Sequence, residues 1–248
     1  MRLKRFLDQV RTQNWIAVTI EFVIVVAGVF LGMQANTWQQ MRAERVLERA
    51  YYVSLANDLR ADVAEYQFSI RMATRSIEAA NAVRAVILGN PDASGRPLSQ
   101  SLFFASWVNY PNLATGTVDE LYAAGTIRVI RDAEVKNALH TYQSEAEEWR
   151  SRLQSPEYGA FLAYRLRADP LLPMETRNAY LLTRLDDENV ERQSVDETGL
   201  ARRLRGDAVL LDATERMISD WVFLSSTYER QLEEARALLA LVERHGRG

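Results

Sequence analysis

One carboxylate in this chain sits where carboxylates are costly. Glu21 interrupts residues 15–33, WIAVTIEFVIVVAGVFLGM, nineteen positions that are otherwise free of charge. A carboxylate at the centre of a membrane helix costs up to about 3 kcal/mol on insertion scales, and less at this shallow depth. Such a group either serves a contact or a proton-linked step, or reaches the nearby headgroups. Successive helix residues turn by about 100°, so Gly28 and Gly32 fall within roughly 20° of Glu21. Ala17 and Ala35 lie along the same line. One face thus carries Ala17, Glu21, Gly28, Gly32 and Ala35, while Val, Ile, Phe and Leu fill the rest. Residues 28–32 form a GxxxG motif, which lets two helix backbones approach closely. The chemistry this pattern offers is non-covalent: a helix–helix contact in which Glu21 meets a donor on the partner.

The other reactive residue types do not assemble into a site. His140 and His245 are the only histidines, and neither has a second ligand at metal-binding spacing. Cysteine is absent, which excludes disulfides, thiol chemistry and a lipoprotein anchor. Glu145, Glu147 and Glu148, like Asp186, Asp187 and Glu188, read as solvated helix faces, and no carboxylate pair stands out for acid–base work. Trp107, Tyr110, Tyr122, Trp149 and Trp221 read as core residues, with a pocket among them as the alternative. No phosphate loop, nucleophile elbow, HExxH, EF-hand or dinucleotide fingerprint occurs. The expectation is therefore no enzyme, no cofactor and no metal.

The elements that must hold the Glu21 face follow from length and charge. Nineteen helical residues span roughly 28 Å, close to the hydrocarbon thickness of a bilayer. Trp15 and Trp38 flank the span where interfacial aromatics belong, and Arg5 and Arg11 add basic anchors before it. Arg2, Lys4, Arg5 and Arg11 precede the span against Asp8 alone, whereas Arg42, Arg45 and Arg49 beyond it are mixed with Glu44 and Glu48. The positive-inside rule then puts residues 1–14 in the cytoplasm, the membrane helix at 15–36 and residues 37–248 in the periplasm of a bacterium. A cleaved secretion signal is the alternative, but the apolar stretch is long for one and no small-x-small site follows it. Leu3, Phe6, Leu7 and Val10 recur at helical spacing among the basic residues, which fits either a short interfacial helix or an unstructured basic anchor.

After residue 33 the chain holds 26 basic and 31 acidic residues, a net of −5, with no basic stripe to suggest nucleic acid. Residues 33–88 lack glycine and proline. Leu47, Tyr51, Leu55, Leu59, Val63, Tyr66, Ile70, Ala73, Ile77, Ala80, Val83 and Ile87 recur in steps of three or four, a helical stripe that can continue the membrane helix. If unbroken it reaches roughly 80 Å; a bend is the expectation. Turn residues at 89–97 end it. Short helices are expected at 98–108, at 117–124 behind a Thr117…Glu120 capping box with Gly125 at its C′ position, and at 157–169 and 174–190. Asp132 caps a helix that reaches about residue 155. A polar loop is expected at 193–199, then a long helix at 207–244 whose stripe is Leu211, Thr214, Ile218, Trp221, Leu224, Tyr228, Leu232, Ala235, Leu239 and Val242. Strand-like alternation is absent. The fold class is all-α: one N-terminal transmembrane helix, then a helical bundle whose long first and last helices run antiparallel. Leu55, Leu59, Ile70, Ile77, Ile218, Trp221, Leu224 and Leu232 are expected in its core.

Two segments, IEFVIVVAGVFLGMQANTW (20–38) and TVDELYAAGTIRVIRDAEVKNALHTY (117–142), together resemble a family of bacterial single-pass inner-membrane proteins without an assigned activity. The matching positions are Glu21, Gln34, Asn36, Trp38, Thr117, Glu120, Leu121, Gly125, Ile127 and Ile130, and the match covers roughly a fifth of the chain. The resemblance implies topology and no activity. The sequence thus points to a non-enzymatic accessory or scaffold subunit. Its partners would be the lipid bilayer and another integral membrane protein, or a second copy of itself. The assembly braced would be respiratory, photosynthetic or transport-related. The alternative is a periplasmic ligand-sensing domain that acts through a membrane partner.

Overall fold

The computed structural model describes residues 15–90, 95–153, 159–182 and 195–246. Eight α-helices and two short 3-10 turns make up the described elements, and no strand occurs among them. In chain order they are α1 (Trp15–Ile87), α2 (Leu98–Phe104), α3 (Gly116–Ala123), α4 (Ala133–Leu153), α5 (Gly159–Ala168), α6 (Met174–Leu182), α7 (Glu197–Leu204) and α8 (Ala208–Gly246). The 3-10 turns are Thr126–Val129, after α3, and Asp169–Leu171, after α5. Helix α1 runs without interruption over 73 residues, so the membrane-grade segment and the downstream stripe belong to one helix. The chain divides after Ala50, and Tyr51–Gly248 forms a compact body of its own.

Within that body the two long helices run antiparallel. Arg60 pairs with Glu243 at 2.5 Å, Tyr66 with Gln231 at 3.3 Å and Arg84 with Glu215 at 2.9 Å. As the number on one helix rises, that on the other falls. Each helix buries a strict alternation of three- and four-residue steps. On α1 the buried line is Leu55, Leu59, Asp62, Tyr66, Ser69, Ala73, Ser76, Ala80, Val83 and Ile87. On α8 it is Leu210, Thr214, Met217, Trp221, Leu224, Tyr228, Gln231, Ala235, Leu238 and Val242. A repeat averaging 3.5 residues keeps one seam facing a partner helix over many turns, as in a coiled coil. Helices α4 and α5 pack on α8, and α2 packs on α6 and α7.

This seam differs by one residue from the expected stripe at several points. Ile70, Ile77 and Ile218, expected to be buried, are only partly buried, as is Val63. The seam positions beside them are polar at Asp62, Ser69 and Ser76 and unbranched at Met217. The expected stripe followed the most apolar residues, whereas the seam follows the seven-residue repeat and takes polar residues where they find partners. Leu55, Leu59, Trp221, Leu224 and Leu232 are buried as expected. Among the aromatics expected in the core, Trp221 is fully buried and Trp107 partly so, but Tyr110 and Tyr122 are exposed. The side chain of Trp149 lies outside the described residues.

The helix boundaries show how local signals were met. Asp132 accepts from the Val135 N–H at 3.0 Å and caps α4, and Asp207 does the same for α8 through Leu210. Gly125 takes φ +63° just past α3, the left-handed position expected of it. The expected capping box does not form. Helix α3 starts one residue early, at Gly116, so Thr117 lies inside it, and Glu120 instead accepts from the Tyr51 hydroxyl at 3.1 Å. The cap comes from another helix: the Thr117 N–H donates to Asp58 of α1 at 3.0 Å. Helix α2 is served the same way, its Ser99 N–H donating to Glu197 of α7 at 3.0 Å. A carboxylate at a helix N-terminus satisfies an orphan donor and complements the dipole, whichever chain segment supplies it. Helix α2 stops at Phe104, short of the expected 108. The end of the expected polar loop is helical too, because Asp196 caps α7 through the Gly199 N–H at 2.8 Å. The expected helix at 174–190 is described only as far as Leu182.

Truncating Leu55 or Leu59 to alanine is expected to cost about 2–5 kcal/mol. The same change at Ile70 or Ile77 should cost well under that, because those side chains already meet solvent. Chemical denaturation of the full chain in detergent reads the difference. Equal losses at both sets would place the seam on the wrong face.

Candidate functional site

The face built from Glu21, Gly28, Gly32 and Ala35 lies on the N-terminal part of α1, where every residue from 18 to 47 is exposed. An 18-residue window of this segment has a mean hydropathy of 2.0, and none of that window is buried within the chain. The helix is long and apolar enough to cross a membrane. A Cβ added at Gly28 or Gly32 would meet no atom within 4 Å. Thr37 Oγ1 donates to the Met33 carbonyl at 2.9 Å, and the Arg42 guanidinium lies 5.6 Å from the ring centre of Trp38. Arg5 and Arg11, and the side chains of Trp15 and Ala17, lie outside the described residues, as do Asp186, Asp187 and Glu188.

The helical body holds a second site, one that the sequence did not lead us to expect. Between α2 and α3 the chain runs irregularly from 105 to 115, packed along α1. Side chains from several helices satisfy its backbone. Ser76 Oγ lies within donating distance of the Phe104 and Trp107 carbonyls, at 3.1 and 3.3 Å. Asn109 donates from Nδ2 to Ser69 Oγ at 2.8 Å. The Ala114 N–H donates to Asp62 at 2.6 Å and the Asn112 N–H to Glu65 at 3.3 Å. From the opposite side, Trp221 Nε1 donates to the Ala105 carbonyl at 2.8 Å and the Tyr228 hydroxyl to the Asn109 carbonyl at 3.2 Å. Arg165 reaches both Ser106 Oγ, at 3.1 Å, and the Ser106 carbonyl, at 3.4 Å. Helix α1 thus presents Asp62, Ser69 and Ser76, one heptad apart, as a polar rail that fixes this strap.

Asp62 is the one charged-type residue in that rail. It is 3% exposed. Burial lifts its pKa to about 6; the bonds from the Ala114 N–H and the Tyr142 hydroxyl, at 2.9 Å, pull the other way, and Asp58 and Glu65 nearby push it up again. The Tyr142 phenol is in turn raised well above its ordinary value, first by burial and then by Tyr66 and Asp62. Beside them lies a cavity of about 240 Å³. Leu55, Leu59, Leu113, Val118 and Leu139 form its apolar wall, and Asp58, Asp62, Asp119 and Glu147 line it with carboxyl groups. No Lys or Arg lines it among the described residues. The signal for this site was present in the sequence as Asp58, Asp62 and Glu65 at i, i+4 and i+7, but it reads as one solvated helix face until the strap is laid against it.

The histidines divide. His140 is exposed. His245 lies on the last turn of α8, 3.1 Å from Asp132 and stacked on Tyr52 with ring centres 6.4 Å apart. Glu145, expected on a solvated face, is half-buried and shares the Gln231 amide with Glu234 of α8. Among the described residues no group of three or more His, Asp or Glu is arranged to hold a metal ion.

A carboxyl whose folded pKa is raised favours the protonated folded state. Its penalty is absent below the unfolded value, grows as pH rises, and is complete above the folded value. For Asp62 that window is about pH 4 to 6, and its shift corresponds to roughly 3 kcal/mol. Asp62→Asn keeps an acceptor for the Ala114 N–H and removes the ionisation, so at pH 8 it should be at least as stable as the parent. Asp62→Ala leaves the Ala114 and Tyr142 donors orphaned and should lose about 1–3 kcal/mol at the same pH. Urea titration of the full chain distinguishes them; an Asn variant as weak as the Ala variant would show that the charge itself holds the strap.

Comparison with known proteins adds no relative to these geometric findings: no family model, no curated protein and no solved structure matches the chain.

Proposed function

We propose that this protein is a single-pass accessory subunit of the bacterial inner membrane, non-enzymatic, with its N-terminus cytoplasmic and its helical body in the periplasm. The observation that carries the reading is the surface of α1 from 18 to 47, apolar over its first half and exposed throughout in the isolated chain. Exposed apolar surface of this extent requires lipid, a partner helix, or both. The face of Ala17, Glu21, Gly28, Gly32 and Ala35 is where the partner helix docks, because small residues permit the close approach on which association in lipid depends. Glu21 meets a donor there rather than acyl chains. The partner is another integral membrane protein or a second copy, and the helical body braces the same assembly outside the bilayer.

A second reading has its own support. The cavity beside Asp62, about 240 Å³, combines an apolar wall with a few convergent polar groups, the make-up of a small-ligand site. Among the described residues it is lined by carboxyl groups and by no Lys or Arg, so it suits a small organic cation. In that case the body senses a ligand and the membrane helix passes the signal to a partner.

One experiment separates the two. Substituting Gly28→Ile together with Gly32→Ile places side chains where the isolated chain has open space, so the helix itself tolerates them. The accessory reading predicts that the parent, extracted in mild detergent, migrates in a defined larger assembly, and that the double variant inserts normally but migrates alone. Val26→Ile, on another face, should change nothing. A parent that migrates alone and is stabilised by small organic amines would instead favour the sensor. Cysteine crosslinks centred on Phe22, Val26 and Val29 would refute the docking face.

A further inference from the structure

We propose that Glu145 of α4 and Glu234 of α8 form a proton-operated latch that fastens these two helices and releases them as pH rises. Both carboxyls accept from one group, the Gln231 amide, whose Nε2 lies 3.2 Å from Glu145 Oε2 and 3.2 Å from Glu234 Oε2. Gln231 is 2% exposed and anchored on its other side, where the Tyr66 hydroxyl of α1 donates to Oε1 at 3.3 Å. The amide therefore holds two acidic side chains from different helices close together at the edge of the core.

The groups around the pair decide its charge. From α8, Arg230 lies 3.8 Å from Glu234, and Arg244 lines the adjoining cavity. From α4, Glu134, Thr141 and Tyr142 line the same cavity, of about 440 Å³, which opens the pair to solvent protons. From α1 the Tyr66 hydroxyl arrives through Gln231. Burial and the nearby Glu145 raise Glu234 to about 7, against the opposing pull of Arg230. With one proton shared, a carboxyl hydroxyl of one residue donates to the carboxylate of the other, and the seam is closed. With the proton gone, two like charges face each other across it, and α4 is pushed from α8. The closed state is the one that holds the proton, so acidification closes the latch and alkalinisation opens it. A group that exchanges one proton can shift the closed-to-open ratio by up to about tenfold per pH unit. A periplasmic domain would meet such changes directly, because external acid reaches that compartment.

Hydrogen exchange on the full chain in detergent tests this, with rates at pH 6 and pH 8 expressed as protection factors so that the intrinsic pH effect cancels. Protection across 133–148 should fall up to about tenfold at pH 8, while that of 76–87 on α1 stays level. Glu234→Gln cannot ionise and still offers a donor to Glu145, so the fall should vanish. Glu145→Gln should behave alike, and supplies the test should Glu234→Gln misfold. Asp62→Asn should keep the fall. Flat protection in the parent, an undiminished fall in both Gln variants, or loss of the fall in Asp62→Asn would each overturn the latch.

Discussion

The body of this protein depends on one requirement: the buried backbone of an irregular strap must be hydrogen-bonded. Residues 102 and 104–106 are nearly or wholly buried, yet from 105 onward the chain forms no regular helix that could satisfy their carbonyls. An orphaned buried polar group costs about 1–3 kcal/mol, so a strap with several of them would not persist. The partners are mostly side chains: the Tyr164 hydroxyl for Leu102, Trp221 for Ala105 and Arg165 for Ser106, while Phe104 accepts from Ser76 and from the Trp107 N–H at 3.0 Å. Polar residues in the α1 seam are thus not defects in a hydrophobic stripe. They set the register of the strap on α1. A slip by one heptad would carry Ser69 to the place of Ser76 but leave Asp62 and Ser69 without their present partners.

Much of the architecture is legible in the sequence, because it rests on local physics. Absent glycine and proline, with apolar residues in steps of three and four, imply the two long helices. Asp132 and Gly125 mark a start and a stop with their own side chain or backbone. Three of the misreadings share one cause. Thr117 and Glu120 satisfy the pattern of a capping box, but Asp58, some sixty residues earlier, supplies the cap. Ile70 and Ile77 are more apolar than Ser69 and Ser76, but the serines have carbonyl and amide partners on the strap. Glu145 looks like part of an acidic surface until α8 places Glu234 beside it. In each case the deciding partner is distant in sequence, and single-residue propensity carries no information about it.

Different constraints shape the two parts of the chain. The N-terminal part of α1 is exposed from 18 to 47, so its face is defined by residue size and periodicity. The body has partners throughout, and its acidic residues acquire roles from their neighbours. Asp58 becomes a cap, Asp62 an anchor and Glu234 half of a shared pair, although all three are carboxylates on helices of similar composition. Environment, not residue type, distinguishes them.

The strap is also a matter of timing. Its carbonyls at 105 and 109 wait for donors at Trp221 and Tyr228, 116 and 119 positions later. At ribosomal speeds of about 5–20 residues per second, roughly 6–25 s separate the emergence of a carbonyl from that of its donor. For that interval the strap lacks the donors to its carbonyls at 105 and 109, and the heptad seam of α1 has no α8 to meet. The nascent body therefore cannot close from its N-terminal end as it emerges. It closes when its last helix arrives, so chains interrupted before Trp221 retain an open seam by which a folding monitor could tell them from finished ones.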